Sequence, residues 1–426
     1  MATYFQNSSP PTSANKPLAA LLFFGWLFAC MDQANISLGG LHVKIAFIVF
    51  PIYLFILLFN YGFKIYRSHL GVGLVFLVLL VPSVIGSVSP LHSFAFLIGA
   101  CVCVCTMLGF SMMAARLGPA TIDVMVLFYR FSVLMTLPLV ALGIQERGSF
   151  TFYEPSYYAV ALIPYFCITF YRLSVGGARA AAIDCFTALA AVIASKSFSM
   201  ALWSFVAFLW MRVIANKLRP IQLLAVFGII AALFSLACLF DSRTQAAIEI
   251  FRDASADPEW FANIAIHLAG NRVQRVYMAW DIACSHTILG VGLGVFKNYT
   301  TNFLGYSDYS IMGISASDFE VETNAVCIYL EILAETGILG ASGFLLLLFR
   351  IYRTGRSRAF VLPMVIAFLL SMISLVIESS YLRPYIWALY GTILGLSRCS
   401  FAGSPSEFFL PYPRLQSAEG ATGKIL

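Results

Sequence analysis

Two arginines one helical turn apart, Arg272 and Arg275, are the residues in this chain best suited to chemistry on an anion. Spaced by three, they share a helix face. Two guanidiniums side by side repel unless an anion or a carboxylate lies between them. Phosphate is a natural partner because the planar fork matches its oxygens; the competing reading is a solvated pair near lipid headgroups. A third cation, Lys196, stands in Ala194-Ser-Lys-Ser-Phe198 between two apolar runs. A lone basic residue there commonly anchors a helix end at the membrane surface. Glu331 and Glu335, four apart, also share a face. They can orient an arginine, tie down the basic pair or serve as acid and base, and orientation is the favoured role. Arg130 lies in the middle of an apolar run, Leu127-Phe-Tyr-Arg-Phe-Ser132. A cation at that depth costs at least about 2.5 kcal/mol on insertion scales, so it must face a partner or a wet cavity. Asp123, two turns earlier on the same face, and Asp184 are the candidate partners. A structural ion pair and a substrate contact fit Arg130 equally well.

Other chemistries lack their residues. The run Gly290-Val-Gly-Leu-Gly294 has the look of a nucleotide fingerprint, but no strand pattern precedes it. Its glycines fit a tight turn at the membrane surface, whose backbone N–H groups can hold an anion. The five histidines, His42, His69, His92, His267 and His286, show no metal-ligand spacing. Neither HExxH nor GxSxG occurs. The ten cysteines fall mostly inside apolar runs and include no CxxC pair, which fits small buried hydrophobes. Neither a metal nor a cofactor is expected.

The elements that must position these residues are membrane helices. Of the 426 residues 60% are hydrophobic and 11% charged, against about a quarter charged in soluble domains. Apolar runs of about 20 residues recur, each long enough to cross a hydrocarbon core of roughly 30 Å. The expected fold is all-α, a polytopic integral membrane protein of about twelve spans: 17–34, 45–63, 69–87, 92–115, 120–144, 156–174, 178–195, 198–214, 220–240, 325–349, 359–379 and 384–400. Residues 1–16 form an N-terminal tail, 17–240 hold spans one to nine, 241–324 form one long loop, 325–400 hold the last three spans and 401–426 form a C-terminal tail. No small-residue cleavage site follows the first run, so it reads as a retained helix.

Charge orients the chain. With the N-terminus inside, sixteen of the 26 basic residues fall in inner segments, whereas the short outer loops hold only Lys44, Arg147, Lys196 and Arg383. Both termini are therefore expected in the cytoplasm and the long loop outside. The net charge of +6 is accounted for by this bias and implies no nucleic acid. The loop of 84 residues, with ten acidic and five basic side chains, is too long for a simple connection. Helices are expected over Thr244–Arg252 and Asn271–Cys284. In the second, Val273, Val276, Tyr277 and Trp280 share a face that packs on the bundle or lies at the interface.

Taken together, Arg272, then Ser285-His-Thr-Ile-Leu-Gly-Val-Gly-Leu-Gly-Val-Phe296, then Tyr329-Leu-Glu-Ile-Leu-Ala-Glu-Thr-Gly-Ile-Leu-Gly340 resemble the O-antigen ligase and polysaccharide polymerase family. The Ser195-Lys196-Ser197 step is similar to that family's serine-arginine step at the outer end of a mid-chain helix. The resemblance implies glycosyl transfer on the periplasmic side of a bacterial inner membrane, from a glycan carried on undecaprenyl diphosphate. It assigns Arg272, Arg275 and Lys196 to the diphosphate, with Glu331, Glu335 and Arg130 in orienting or structural roles. Implied partners are the lipid-linked oligosaccharide, membrane lipids, and a chain-length regulator and flippase of the same pathway. Ligases of the family carry a histidine and a polar residue just before the tyrosine-leucine step; Val326 and Cys327 stand there. That departure raises a polymerase over a ligase and leaves the base unassigned, with Glu322 and Asn324 nearby in sequence. A transporter or flippase is the reading from a different class, although no internal repeat supports it.

Overall fold

The computed structural model describes residues 16–31, 33–38, 41–62, 64–152, 154–215, 271–302, 325–377 and 382–399. Helices dominate: α1 (Lys16–Cys30), α2 (Ile45–Phe59), α3 (Arg67–Ile85), α4 (Pro90–Leu117), α5 (Ala120–Ala141), α6 (Pro155–Ser195), α7 (Phe198–Ile214), α8 (Asn271–Ser285), α9 (Phe296–Asn302), α10 (Ile328–Arg356), α11 (Leu362–Ser374) and α12 (Pro384–Leu396). Between α1 and α2 runs one antiparallel hairpin, β1 (Asn35–Leu38) and β2 (Leu41–Lys44), in the register Asn35↔Lys44 to Leu38↔Leu41.

Among the described residues, five helices are long and apolar enough to cross a membrane: Arg67–Ile85, Pro90–Leu117, Ala120–Ala141, Pro155–Gly176 and Ile328–Arg356. Six shorter apolar helices coincide with the expected spans near 17–34, 45–63, 178–195, 198–214, 359–379 and 384–400. The expected span 220–240 and the expected helix Thr244–Arg252 lie outside the described residues. Large side chains such as Phe55, Phe59, Val78, Leu127, Phe186 and Leu189 are exposed on helix faces. An outer surface this apolar matches a hydrocarbon surrounding better than water.

The helix assigned over Pro155–Ser195 has 41 residues, about 60 Å if straight. Contacts within it rule out a straight rod. The Tyr165 hydroxyl donates to the Asp184 carbonyl at 3.2 Å, although the two are 19 residues apart, about 28 Å along a helix axis. Arg172 likewise reaches Asp184 at 3.5 Å. The chain therefore doubles back between Pro155–Gly176 and Ala181–Ser195, which are the two separate spans expected from sequence. Charge pairing holds the two arms together, as described below.

The tightest helix pair is α4 with α12. Gly391 and Gly395 of α12 face the backbone carbonyls of Met107 and Ser111 on α4. No side chain intervenes, so the two backbones approach closely and gain dispersion contacts where lipid supplies no hydrophobic drive. Trp26, Phe110, Phe128 and Tyr129 form an aromatic centre between α1, α4 and α5. α10 extends to Arg356, seven residues beyond the expected span, with Arg353 and Arg356 in its last turn. Cations there suit the negative end of the helix dipole, so the helix outlasts the apolar run.

Candidate functional site

α8 carries the arginine pair. Arg272 lies in its first turn and Arg275 one turn on, so the two share a helix face. The side chain of Arg272 is outside those described; that of Arg275 is half-buried. Met278, Ala279, Ile282 and Ala283 on the inner face of α8 pack against Ala334 of α10, Val291 and Phe296 in a small core separate from the main one. The sequence left two places for the aromatic face of α8. The structure turns Tyr277 and Trp280 outward and exposes them, while a different face meets the bundle.

The connection from α8 to α9 is the glycine run, and it is built into α10. Gly337 takes φ 61° and ψ −167°, which breaks the helix. A break at that point strips the Ala334 and Glu335 carbonyls and the Ile338 N–H of their i→i−4 partners. The glycine turn supplies all three. Val291 N–H donates to Ala334 O at 3.0 Å, Gly292 N–H to Glu335 O at 2.9 Å, and Ile338 N–H to Thr287 O at 2.9 Å. Gly290, Gly292 and Gly294 all have positive φ. A Cβ on Gly290 would strike the Glu335 backbone, and one on Gly337 the Ile288 carbonyl. Glycine is required on both sides of this seam.

Glu335 completes it. The carboxylate accepts from Gly294 N–H at 2.9 Å and from Phe296 N–H at 3.2 Å, and the residue is 2% exposed. The turn does hold an anion with its N–H groups, and that anion is the protein's own carboxylate. In these bonds Glu335 holds the backbone of the turn. Glu331, one turn earlier, is also buried. The helix α3–α4 corner closes the far side. Val88 N–H donates to Val291 O at 3.1 Å, and His92 Nε2 donates to Gly294 O at 3.0 Å. His286 meets the Tyr299 hydroxyl at 2.9 Å across the turn. His92 and the His286–Tyr299 pair carry no local spacing signal, because their partners come from distant or backbone groups.

Lys196 ends α6 in the left-handed conformation, φ 45° and ψ 35°. Its exposed side chain is free to reach solvent, and its carbonyl accepts from Arg147 Nη2 at 3.1 Å. Gly148 N–H donates to Ala194 O at 2.9 Å. Among the described residues the only non-glycine positions with positive φ are Phe150 and Lys196, and both belong to this corner. Strain of this kind concentrates where function fixes the backbone. None of the contacts described for Lys196 reaches α8; the structure sets it at the α5–α6–α7 corner and the arginines on α8 against α10.

Arg130 has the partner its depth demands. Its Nε lies 2.5 Å from Asp184 Oδ1, and Asp184 is fully buried. Asp123 does not pair with Arg130. Arg172 takes it at 2.6 Å and also reaches Asp184 at 3.5 Å. Two arginines and two aspartates form one neutral network that ties α5 to both arms of α6. Arg172 is one of the sixteen basic residues that the charge bias places in inner segments, whereas it is 3% exposed. Val326 is buried at the entrance to α10, and Glu322 and Asn324 lie outside the described residues. Among the described residues no group of three or more His, Cys, Asp or Glu side chains is arranged to hold a metal ion.

Compared with known protein families the chain matches no family model, and it matches none of the curated proteins.

Proposed function

We propose that this chain is a glycosyltransferase of the bacterial inner membrane, a polymerase that joins undecaprenyl-diphosphate-linked oligosaccharide repeats into an exopolysaccharide or O-antigen. In this reading twelve helices cross the membrane, both termini are cytoplasmic, and the 241–324 loop with the α8–α10 seam faces the periplasm. An acceptor hydroxyl on one repeat attacks the anomeric carbon of another. The bond from that carbon to the diphosphate oxygen breaks, the hydroxyl proton passes to a base, and the lipid diphosphate leaves. Charge grows on the leaving oxygens, and fixed cations lower the barrier most when they need not rearrange. Arg272 and Arg275 supply them, with Lys196 as the third. The arginine helix and the aromatic face of Tyr277 and Trp280 suit an interface where a polyprenyl carrier presents its headgroup.

The observation that carries the reading is the rigid seating of α8. Small apolar residues, a glycine turn and the Glu335 carboxylate lock the arginine-bearing helix to α10. A solvated pair of surface arginines needs no such seating. The test is Arg272→Ala in cells, with polymer length read on gels and membrane abundance checked by immunoblot. Collapse to single repeats is expected; full-length polymer from normally abundant protein would remove Arg272 from the mechanism. The ligase alternative is weakened by buried Val326, where ligases carry a histidine. Purified protein given lipid-linked single repeats alone decides between them, since a ligase without its acceptor yields nothing longer. The transporter alternative needs intramembrane charges open to a cargo, and Arg130 and Asp184 are paired within the protein. It predicts movement of lipid-linked repeats across liposomes with no joining.

A further inference from the structure

At the end of the bundle opposite the glycine seam, α3 and α10 diverge and leave an open groove of about 390 Å³. That volume is in the range of ligand sites, roughly 300–1,000 Å³. The lining is apolar, with Gly71, Val72 and Val75 from α3 and Leu346 and Leu347 from α10. Two polar residues stand at the mouth, Ser68 and Arg350. Ser68 is itself the acceptor of a 2.6 Å hydrogen bond from Arg398 Nη2, and the Arg398 guanidinium rests over the Tyr66 ring at 5.5 Å. The groove thus has an apolar lining between two membrane helices, one arginine, Arg350, in that lining, and a second, Arg398, bonded to its Ser68. None of its lining residues is acidic. Val75 and Leu346 are more than a third exposed, so the channel opens sideways onto the lipid-facing surface.

We propose that this groove is a binding site for one anionic phospholipid from the leaflet at the basic end, with an acyl chain along Gly71, Val75 and Leu346 and the phosphate on Arg350 and Arg398. Charge complementarity selects the headgroup, because paired guanidiniums match phosphate oxygens and basic pockets between membrane helices hold anionic headgroups. Gly71 lines the groove, and a Cβ there meets nothing within 4 Å, so a larger side chain can be introduced at that point. The proposal rests on the helical bundle alone and stands or falls apart from the glycan reading.

Gly71→Leu adds apolar bulk to the lining at a point where a Cβ meets nothing within 4 Å, and Arg350→Gln removes an exposed cation from it. Each full-length protein is purified in mild detergent and titrated with phosphatidylglycerol or phosphatidylcholine, bound lipid being counted by native mass spectrometry. Wild type is expected to retain one phosphatidylglycerol at least fivefold over phosphatidylcholine. Each variant should lower that retention at least fivefold with an unchanged melting temperature, and excess inorganic phosphate should not displace the lipid. Equal retention of the two lipids, or full retention by Gly71→Leu, overturns the proposal. Displacement by inorganic phosphate also overturns it, by reducing the site to an anion site with no chain-binding channel. Arg350→Gln, at an exposed position, carries the same test even if the leucine disturbs folding.

Discussion

Two buried carboxylates in different parts of this molecule do different work. Glu335 at the glycine seam accepts from backbone N–H groups only in the bonds described. Asp184 in the α5–α6 network accepts from side chains, Arg130 and Arg172, with the Tyr165 hydroxyl beside it. The first fixes the path of a chain segment, and the second fixes how helices sit against one another. A carboxylate that holds backbone demands a particular backbone, which is why the seam needs glycine at 290 and 337. A carboxylate that holds guanidiniums demands only that charges balance, and the helices around it are otherwise ordinary.

The difference is open to attack by mutation, and the seam should break first. Gly337→Ala or Gly290→Ala drives a Cβ into backbone that cannot move aside. A loss of about 3 kcal/mol or more is expected from overpacking and left-handed strain. The measurement is yield of monodisperse protein in detergent; normal yield and melting temperature would show the seam to be soft. Asp184→Ala comes next, because it leaves Arg172, 3% exposed, and Arg130 without their shared anion. Breaking a buried pair from one side costs about 3–5 kcal/mol, read as a fall in melting temperature. Glu335→Gln should cost less, about 1–3 kcal/mol, since the amide keeps one acceptor and loses the other. Its sharper signature is faster amide hydrogen exchange at Gly294 and Phe296, with none at α5 or α6. Asp123→Ala is smaller again, within about 1 kcal/mol, because Asp123 is 42% exposed and Arg172 keeps Asp184.

The smallest expected change has the opposite sign. Lys196→Gly relieves a left-handed residue, φ 45°, and should raise stability by about 1 kcal/mol. If Lys196 also serves the diphosphate, polymer length falls while the melting temperature rises. Both moving up together would leave Lys196 a helix-ending residue only.

Much of the frame was legible in the chain, for a physical reason. Span-length apolar runs follow from membrane thickness, and the apolar helices among the described residues fall on such runs, including the two arms that fold back within Pro155–Ser195. Arg130 was legible for the same reason, since a cation at that depth must find a partner. The partners themselves were less so. Arg172 lies near the end of a span, where a cation normally snorkels to the surface, and nothing local distinguishes it from one that turns inward. The Gly294 and Phe296 groups that Glu335 accepts from are backbone N–H groups, which every residue but proline has, so no residue type marks them. Two glycine clusters, 290–294 and 337–340, were the available signal. More than forty residues of sequence separate them, so nothing local shows that each supplies what the other lacks.

The seam also constrains the order in which the protein is made. His92 grips Gly294 across 202 residues of chain, and the hydrogen bonds of Val291 and Gly292 require α10, which is synthesised later still. Chains emerge N-terminus first, so the α3–α4 corner must wait, already inserted, for most of the polypeptide to be translated. A nascent chain stalled before Gly337 has every arginine of α8 and nothing to seat it. The late helix α10 is therefore what seats α8 on a bundle whose earlier helices are already made.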